Sequence, residues 1–305
     1  MRGPGRLLFV FLDGVGIGDA DPDRNPFARA VIPTLLSLMG GKLPTLAEPT
    51  VSSPHGTSFP LDATLETEGV PQSGTGQASL LTGENAARLF GRHFGPWTPV
   101  SLRPLVEERS ILRAARDGGR ATVFANAYPR GWPGPRGRGR VAGPPLAARG
   151  AGLLDRHEEA LAEGRAVSSE MVNEAWRAHL GHLGLPLITE AEAGMNLGRI
   201  AAEAELTFWA YYATDTAGHR GGMEGGVAVL ERVDRFLAGL LETLPSDVTL
   251  LLASDHGNLE DVTGGHTRNP VLGVAAGPGA RALAGRMRSL TDVSPAIRAH
   301  LGLGA

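Results

Sequence analysis

Three carboxylates and three imidazoles stand where a layered α/β protein would gather them at one edge of its sheet. Asp13 follows the apolar run Leu7–Leu12 directly. Asp215 follows the run Leu206–Ala213 and is trailed by His219, in the order Asp215-Thr-Ala-Gly-His219. Asp255-His256-Gly257 follows Val248–Ala253, and His266 lies just before Val271–Ala275. Any one of these has an ordinary explanation, since an Asp after a strand often caps a helix or closes a turn. Together they would place mutually repelling, desolvated carboxylates within a few ångströms of one another, which is costly unless a cation sits among them. Mixed imidazole and carboxylate ligation suits Zn²⁺ or Mn²⁺ better than Ca²⁺, which takes oxygen ligands. The other histidines (His55, His93, His157, His179, His182 and His300) fall outside this pattern and are read as structural or surface residues.

A nucleophile is available in Gln72-Ser73-Gly74-Thr75-Gly76-Gln77, which leads into the more apolar stretch from Ala78. Small residues ahead of such a stretch suit a loop entering a helix N-terminus, where free N–H groups and the helix dipole favour a phosphate. Judged alone the segment reads as an ordinary Gly-rich turn with a capping serine, and it lacks the GK[ST] ending of a Walker A loop.

Positioning these residues requires strands alternating with helices. The short apolar runs Leu7–Leu12, Ala121–Ala125, Leu206–Ala213, Val248–Ala253 and Val271–Ala275 read as buried strands of a mainly parallel sheet. Helical patterns are expected at about Glu108–Asp117, Glu190–Glu203, Val227–Leu244 and Thr291–Leu301. In open sheets of this kind ligands bind outside the carboxyl ends of the strands, so the expected fold is a layered αβα core. Residues 1–129 and 189–305 are expected to form it. Residues 130–188 read as a small insertion or cap. Its first part, Arg130–Arg149, is so rich in Gly, Pro and Arg that neither a core strand nor a core helix is expected there. A mostly helical polar stretch is expected from Leu153 to about Leu183. Arg130, Arg136, Arg138 and Arg140 read mostly as solvated loop charges, although some of them could hold substrate anions.

Bulk properties narrow the partners. A 42% apolar chain of 305 residues can bury a substantial core, and a net charge of −3 offers no broad attraction for nucleic acid or an anionic membrane. With no cysteine, disulfides and thiolate ligands are excluded. Lys42 is the only lysine among 29 basic residues, which reads as codon bias. The apolar run after Arg2 and Arg6 is too short for a signal h-region, and a soluble cytoplasmic enzyme is expected.

The motif Asp255-His256-Gly257-Asn258-x-Glu260, with His266-Thr267-x-Asn269-Pro270-Val271, resembles the C-terminal metal motifs of cofactor-independent phosphoglycerate mutase. Asp215-x-x-Gly218-His219 resembles the preceding motif of that family, and Asp13-Gly14-Val15-Gly16-Ile17-Gly18 is similar to both that mutase and phosphopentomutase. Ser73 falls where those enzymes carry their nucleophile, two residues before Thr75. The resemblance implies the alkaline phosphatase superfamily, with its fold, a small phosphorylated substrate and two divalent metals, Mn²⁺ as in the mutases or Zn²⁺ as in the phosphatases. One metal would be held by Asp215, His219 and His266, the other by Asp13, Asp255, His256 and the Ser73 oxygen.

Departures from the pattern shape the expected activity. Gln77 stands where the mutases have histidine, Gln72 where they have asparagine, and Lys42 lies outside every matching motif. The short insertion suits a phosphate monoester hydrolase working through a phosphoserine intermediate. The alternatives are a phosphomutase for phosphoglycerate or phosphosugars, a phosphodiesterase of the same superfamily, and, last, a non-catalytic binding protein. A sulfatase is excluded, because no formylglycine precursor motif is present.

Overall fold

The computed structural model describes residues 5–134 and 139–304. Its centre is β1 (Arg6–Leu12), whose residues alternate between two cores: Leu7, Phe9 and Phe11 face one, Leu8, Val10 and Leu12 the other. A strand buried on both faces reads as a continuous apolar run, which is what the sequence carries there.

Six further strands complete the sheet: β2 (Val51–Ser52), β3 (Thr57–Leu61), β4 (Thr122–Phe124), β5 (Leu206–Tyr211), β6 (Val248–Ala253) and β7 (Val271–Ala276). The order is β2-β3-β7-β6-β1-β5-β4. Strands β6, β1, β5 and β4 run parallel, whereas β7 is antiparallel to both β6 and β3. The reversal of β7 matters for the site. Its first residue, not its last, lies at the edge where β6 ends, so His266 reaches the same edge as Asp255.

One face of the sheet is covered by α1 (Pro33–Leu38), α9 (Glu190–Ala201) and α11 (Gly222–Thr243). The other carries α2 (Ser73–Thr82), α3 (Ala86–Phe90), α4 (Arg103–Arg109), α5 (Ile111–Asp117), α6 (Gly143–Gly150), α12 (Ala280–Ala284) and α13 (Val293–His300). Two short helices, α7 (Glu158–Ala162) and α8 (Glu174–Ala178), contribute to a third, small apolar cluster, and α10 (Ala213–Arg220) follows β5. The result is the expected layered α/β architecture.

Three expectations need correction. Arg130–Arg149 contains a helix: in α6 Pro144, Pro145, Leu146, Ala147 and Ala148 are buried in the main core. Proline is tolerated in a first helical turn, where the N–H has no intrahelical partner in any case. The stretch 153–183 is mostly irregular, with only α7 and α8 helical. The single helix expected at Glu108–Asp117 is two, divided at Ser110, whose extended backbone ends α4 and whose Oγ accepts from Arg113 N–H to start α5.

Helices α9 and α11 approach closely because both carry glycine at the crossing. A Cβ on Gly239 would lie 2.0 Å from the Ala191 carbonyl oxygen, and one on Gly194 2.0 Å from that of Phe236. Alanine ordinarily favours a helix over glycine by up to about 1 kcal/mol. Here the obstacle is backbone, so Gly239→Ala is expected to destabilise by about 2 kcal/mol through forced separation. Urea denaturation measures it, and an unchanged or raised midpoint would contradict the crossing.

Candidate metal and phosphoryl-transfer site

All seven residues singled out in the sequence converge at the carboxyl edge of β1, β5 and β6. Asp13 directly follows β1, Asp215 lies in the first turn of α10, and Asp255 follows β6 one residue on. One ligand atom from each of Asp13, Asp255 and His256 lies within 4.8 Å of the others, and the same holds for Asp215, His256 and His266. His256 Nε2 is the shared point: it sits 2.9 Å from Ser73 Oγ, 3.2 Å from Asp13 Oδ1 and 3.8 Å from both Asp215 Oδ1 and Asp255 Oδ2. His219 is the more exposed member, with Nε2 2.9 Å from His266 Nε2 and 3.4 Å from Asp215 Oδ1.

Ser73 is the first residue of α2, buried, with the helix N-terminus behind it. The helix is pressed against the β6 loop: a Cβ on Gly76 would lie 2.6 Å from the Asp255 carbonyl oxygen. Thr75 is turned away. Its hydroxyl donates to the Gln72 carbonyl at 3.3 Å and accepts from Phe94 N–H at 3.1 Å.

The donor set fits a divalent cation. His266 Nδ1 lies 2.9 Å from the Pro71 carbonyl oxygen, which can only accept, so Nδ1 carries the hydrogen and Nε2 offers a lone pair to the cluster. His256 Nδ1 faces the Gly257 carbonyl oxygen at 3.3 Å, leaving Nε2 towards the carboxylates. Asp255 Oδ2 is buried with no hydrogen-bond partner among the described residues. An orphaned carboxylate oxygen beside two inward-facing imidazole nitrogens is costly for a protein interior and natural for a metal ligand set.

Charge coupling is correspondingly strong. Burial, then the neighbouring Asp13 carboxylate, push Asp255 well above the usual carboxylate range, and burial raises Asp13 against the pull of His256. Burial acts to lower His256, but Asp255, Asp13 and Asp215 outweigh it and hold the imidazole up to about 10. Asp215, against its own burial, is held down to about 2 by His266, His256, Asn258 and His219. Burial lowers His219.

Several supporting residues were not assigned roles from sequence. Asn258 Nδ2 donates to Asp215 Oδ1 at 2.6 Å, and Thr214 Oγ1 donates to the Asp13 carbonyl at 2.6 Å. Gln77, where the resemblance sets a histidine, accepts from Gly143 N–H at 2.9 Å. Its Nε2 therefore faces Asp13 Oδ2, at 3.4 Å. Gly14 takes φ +68°, and a Cβ there would lie 2.6 Å from Asp215 Oδ1, so only glycine fits. Of the arginines offered as anion holders, Arg130 and Arg140 lie among the described residues. Arg130 pairs with Glu159 at 2.7 Å and Glu158 at 3.6 Å, Arg140 is exposed, and Arg136 and Arg138 lie outside the described residues.

Comparison with known proteins agrees with this geometry. Residues 189–305 match the Metalloenzyme superfamily. That segment carries Asp215, His219, Asp255, His256 and His266, and the match implies divalent metal ions. The chain is similar to a phosphopentomutase of Methylobacterium sp. (strain 4-46), 44% identical over 89 residues, covering 28% of this chain and 22% of the relative. It is similar also to a 2,3-bisphosphoglycerate-independent phosphoglycerate mutase of Cereibacter sphaeroides, 36% identical over 104 residues, covering 30% of this chain and 20% of that one. The matched stretch thus spans about a fifth of the length of these curated relatives. In fold, the chain resembles the alkaline phosphatase of the Antarctic bacterium TAB5, with a TM-score of 0.53 at 11% identity over 100% of both chains. The alkaline phosphatase-like resemblance therefore holds in fold across the chain and in sequence over the segment with five of the seven site residues. Among the described residues, no helix is long and apolar enough to cross a membrane.

Proposed function

We propose that this chain is a metal-dependent phosphomutase that moves a phosphoryl group within a small phosphorylated metabolite, of which a pentose phosphate is the first candidate, by way of a phosphoserine at Ser73. The observation that carries the reading is Ser73 Oγ at a helix N-terminus, 2.9 Å from His256 Nε2 and inside the carboxylate–imidazole cluster. Asp215, His219 and His266 would hold one divalent cation and Asp13, Asp255 and His256 a second, Mn²⁺ or Zn²⁺, which would acidify the Ser73 hydroxyl and neutralise phosphoryl charge. The chain's own contribution is placement. Ser73 is buried, which limits competing water, and it stands at the start of α2, where the helix dipole favours an arriving phosphoryl group, although the Thr75 N–H is already taken by the Phe94 carbonyl at 3.0 Å.

The hydrolase expectation rested on a short insertion whose first part was expected to add nothing to the core, and that reason is weakened. Part of 130–188 belongs to the main core through α6, and the rest has an apolar cluster of its own in which Ala160, Leu161, Ala166, Trp176 and Leu185 pack with Ala127. In this reading 130–188 still acts as the part that encloses substrate: Asn126 reaches Ser169 at 3.2 Å near the ends of β4 and β5. The similarity to phosphopentomutases favours transfer over release. Phosphorus NMR of the Mn²⁺- or Zn²⁺-loaded protein with ribose 1-phosphate is expected to show ribose 5-phosphate accumulating without free phosphate. Inorganic phosphate as the main product would restore the hydrolase, and 3-phosphoglycerate as the only converted compound would move the substrate class.

A further inference from the structure

Glu260 is a carboxylate outside the cluster, 2% exposed, that touches the loops carrying most of it. Oε2 accepts from Gly16 N–H at 2.9 Å, in the loop following Asp13, and from Asn258 N–H at 2.8 Å, two residues after His256. Oε1 accepts from the Thr267 hydroxyl and from Asn269 Nδ2 at 3.2 Å, both in the loop that starts at His266. Asn258 extends the reach, because its side chain donates to Asp215. Three stretches of chain, at Gly16, Asn258 and Thr267–Asn269, are therefore tied to one side chain, and that of Asp215 joins them through Asn258. The space is filled as well: a Cβ on Gly16 would lie 2.3 Å from the Glu260 carboxyl, and one on Gly257 2.4 Å from Oε1.

We propose that Glu260 is a positioning residue that assembles the loops bearing Asp13, Asp215, Asp255, His256 and His266 ahead of metal binding. This rests on the metal-centre reading given above. The alternative, a bland buried carboxylate, predicts a loss of stability without change in metal affinity. The hydrogen-bond pattern separates the two. Glutamine at 260 can keep one oxygen on the two backbone N–H groups and turn its amide nitrogen to Thr267 and Asn269. The Thr267 hydroxyl can accept as readily as donate, and the Asn269 amide can flip to offer its oxygen. Alanine makes none of these bonds, and removal of a group that orients metal ligands costs about 10–100-fold in metal affinity.

The experiment is calorimetric titration of the metal-free full chain with Mn²⁺ and with Zn²⁺, alongside amide hydrogen exchange of the same metal-free proteins. Glu260→Gln is expected to bind within about threefold of the parent and Glu260→Ala at least about tenfold more weakly. Exchange at the Gly16 and Asn258 amides should quicken about tenfold or more in the alanine variant before any metal is added. Should Glu260→Ala not fold cooperatively, Thr267→Val/Asn269→Ala, at partly exposed positions, severs only the arm to His266 and is expected to weaken binding about tenfold. Alanine-variant affinity within twofold of the parent, or no loss in the Thr267/Asn269 double variant, overturns the proposal, as does a glutamine variant as impaired as alanine. If the parent binds no divalent metal, the metal centre fails. Unaltered exchange at Gly16 and Asn258 then sinks the positioning role separately, and quickened exchange sustains it.

Discussion

Replacing Ser73 with alanine is expected to lower kcat/KM towards phosphorylated substrate by about ten-thousand-fold or more, with metal content unchanged. The size follows from losing the only step that links the two half-reactions of a double displacement. Without Oγ there is no covalent phosphoryl acceptor, and residual turnover must come from direct attack by water or a substrate hydroxyl. The six other residues of the cluster still meet around His256 Nε2, whose contacts to Asp13, Asp215 and Asp255 do not involve Ser73. Metal binding should therefore survive the substitution with modest weakening. The neighbouring hydroxyl cannot take over, because Thr75 is engaged by Gln72 and Phe94 and points away from the cluster. Brief incubation of the parent protein with substrate, acid quench and peptide mapping should find phosphate on Ser73. Phosphate on Thr75, or a Ser73→Ala variant within tenfold of the parent, would remove Ser73 from its role.

The contrast between what sequence revealed and what it concealed has a physical basis. Asp13, Asp215 and Asp255 were legible because each lies within a few residues of a strand's carboxyl end, and a parallel sheet brings such ends together whatever the loops do; His266 precedes its strand and reaches the same edge because β7 runs antiparallel. Nothing local shows that Glu260 receives hydrogen bonds from Gly16, 244 positions away, or that Gln77 lies between Gly143 and Asp13. Such partners exist only once the chain has folded. Strand β3 escaped notice because Pro60 sits inside Thr57–Leu61. A proline survives there because β2 pairs only with Thr57 and Ser58, so no ladder bond on that side is lost at Pro60. Helix α6 was hidden by Pro144-Pro145, which read as breakers although they lie in its first turn. In each case a residue type was given its average meaning, and its position in the element reversed it.

Loading the metal-free protein with Mn²⁺ or Zn²⁺ is expected to raise its melting temperature markedly and to release protons. A ligand that binds only the folded chain stabilises it by about 4 kcal/mol at a thousand times its Kd. At about 2–4 °C per kcal/mol for a large domain, one such site gives a rise of about 8 °C or more, and chelation should reverse it. Proton release follows from the coupling within the cluster. Without metal, the three carboxylates hold the His256 imidazole up to about 10, so at pH 7 it carries a proton on the nitrogen that faces them. Ligation through Nε2 requires that proton to leave. Since pH 7 lies below the raised value, the competition weakens as pH rises. Apparent affinity should therefore increase from pH 7 to 9, by about tenfold per unit for each proton displaced. Titrations in HEPES and in Tris, whose ionisation enthalpies differ, should yield at least one proton released per chain at pH 7. Asp255, also pushed well up by burial and by Asp13, can add to that number but not reverse its sign. Binding with no proton release and no dependence on pH would mean that the cation does not enter at His256. No binding and no change in melting would mean that these carboxylates and imidazoles are held together by their own ion pairs alone.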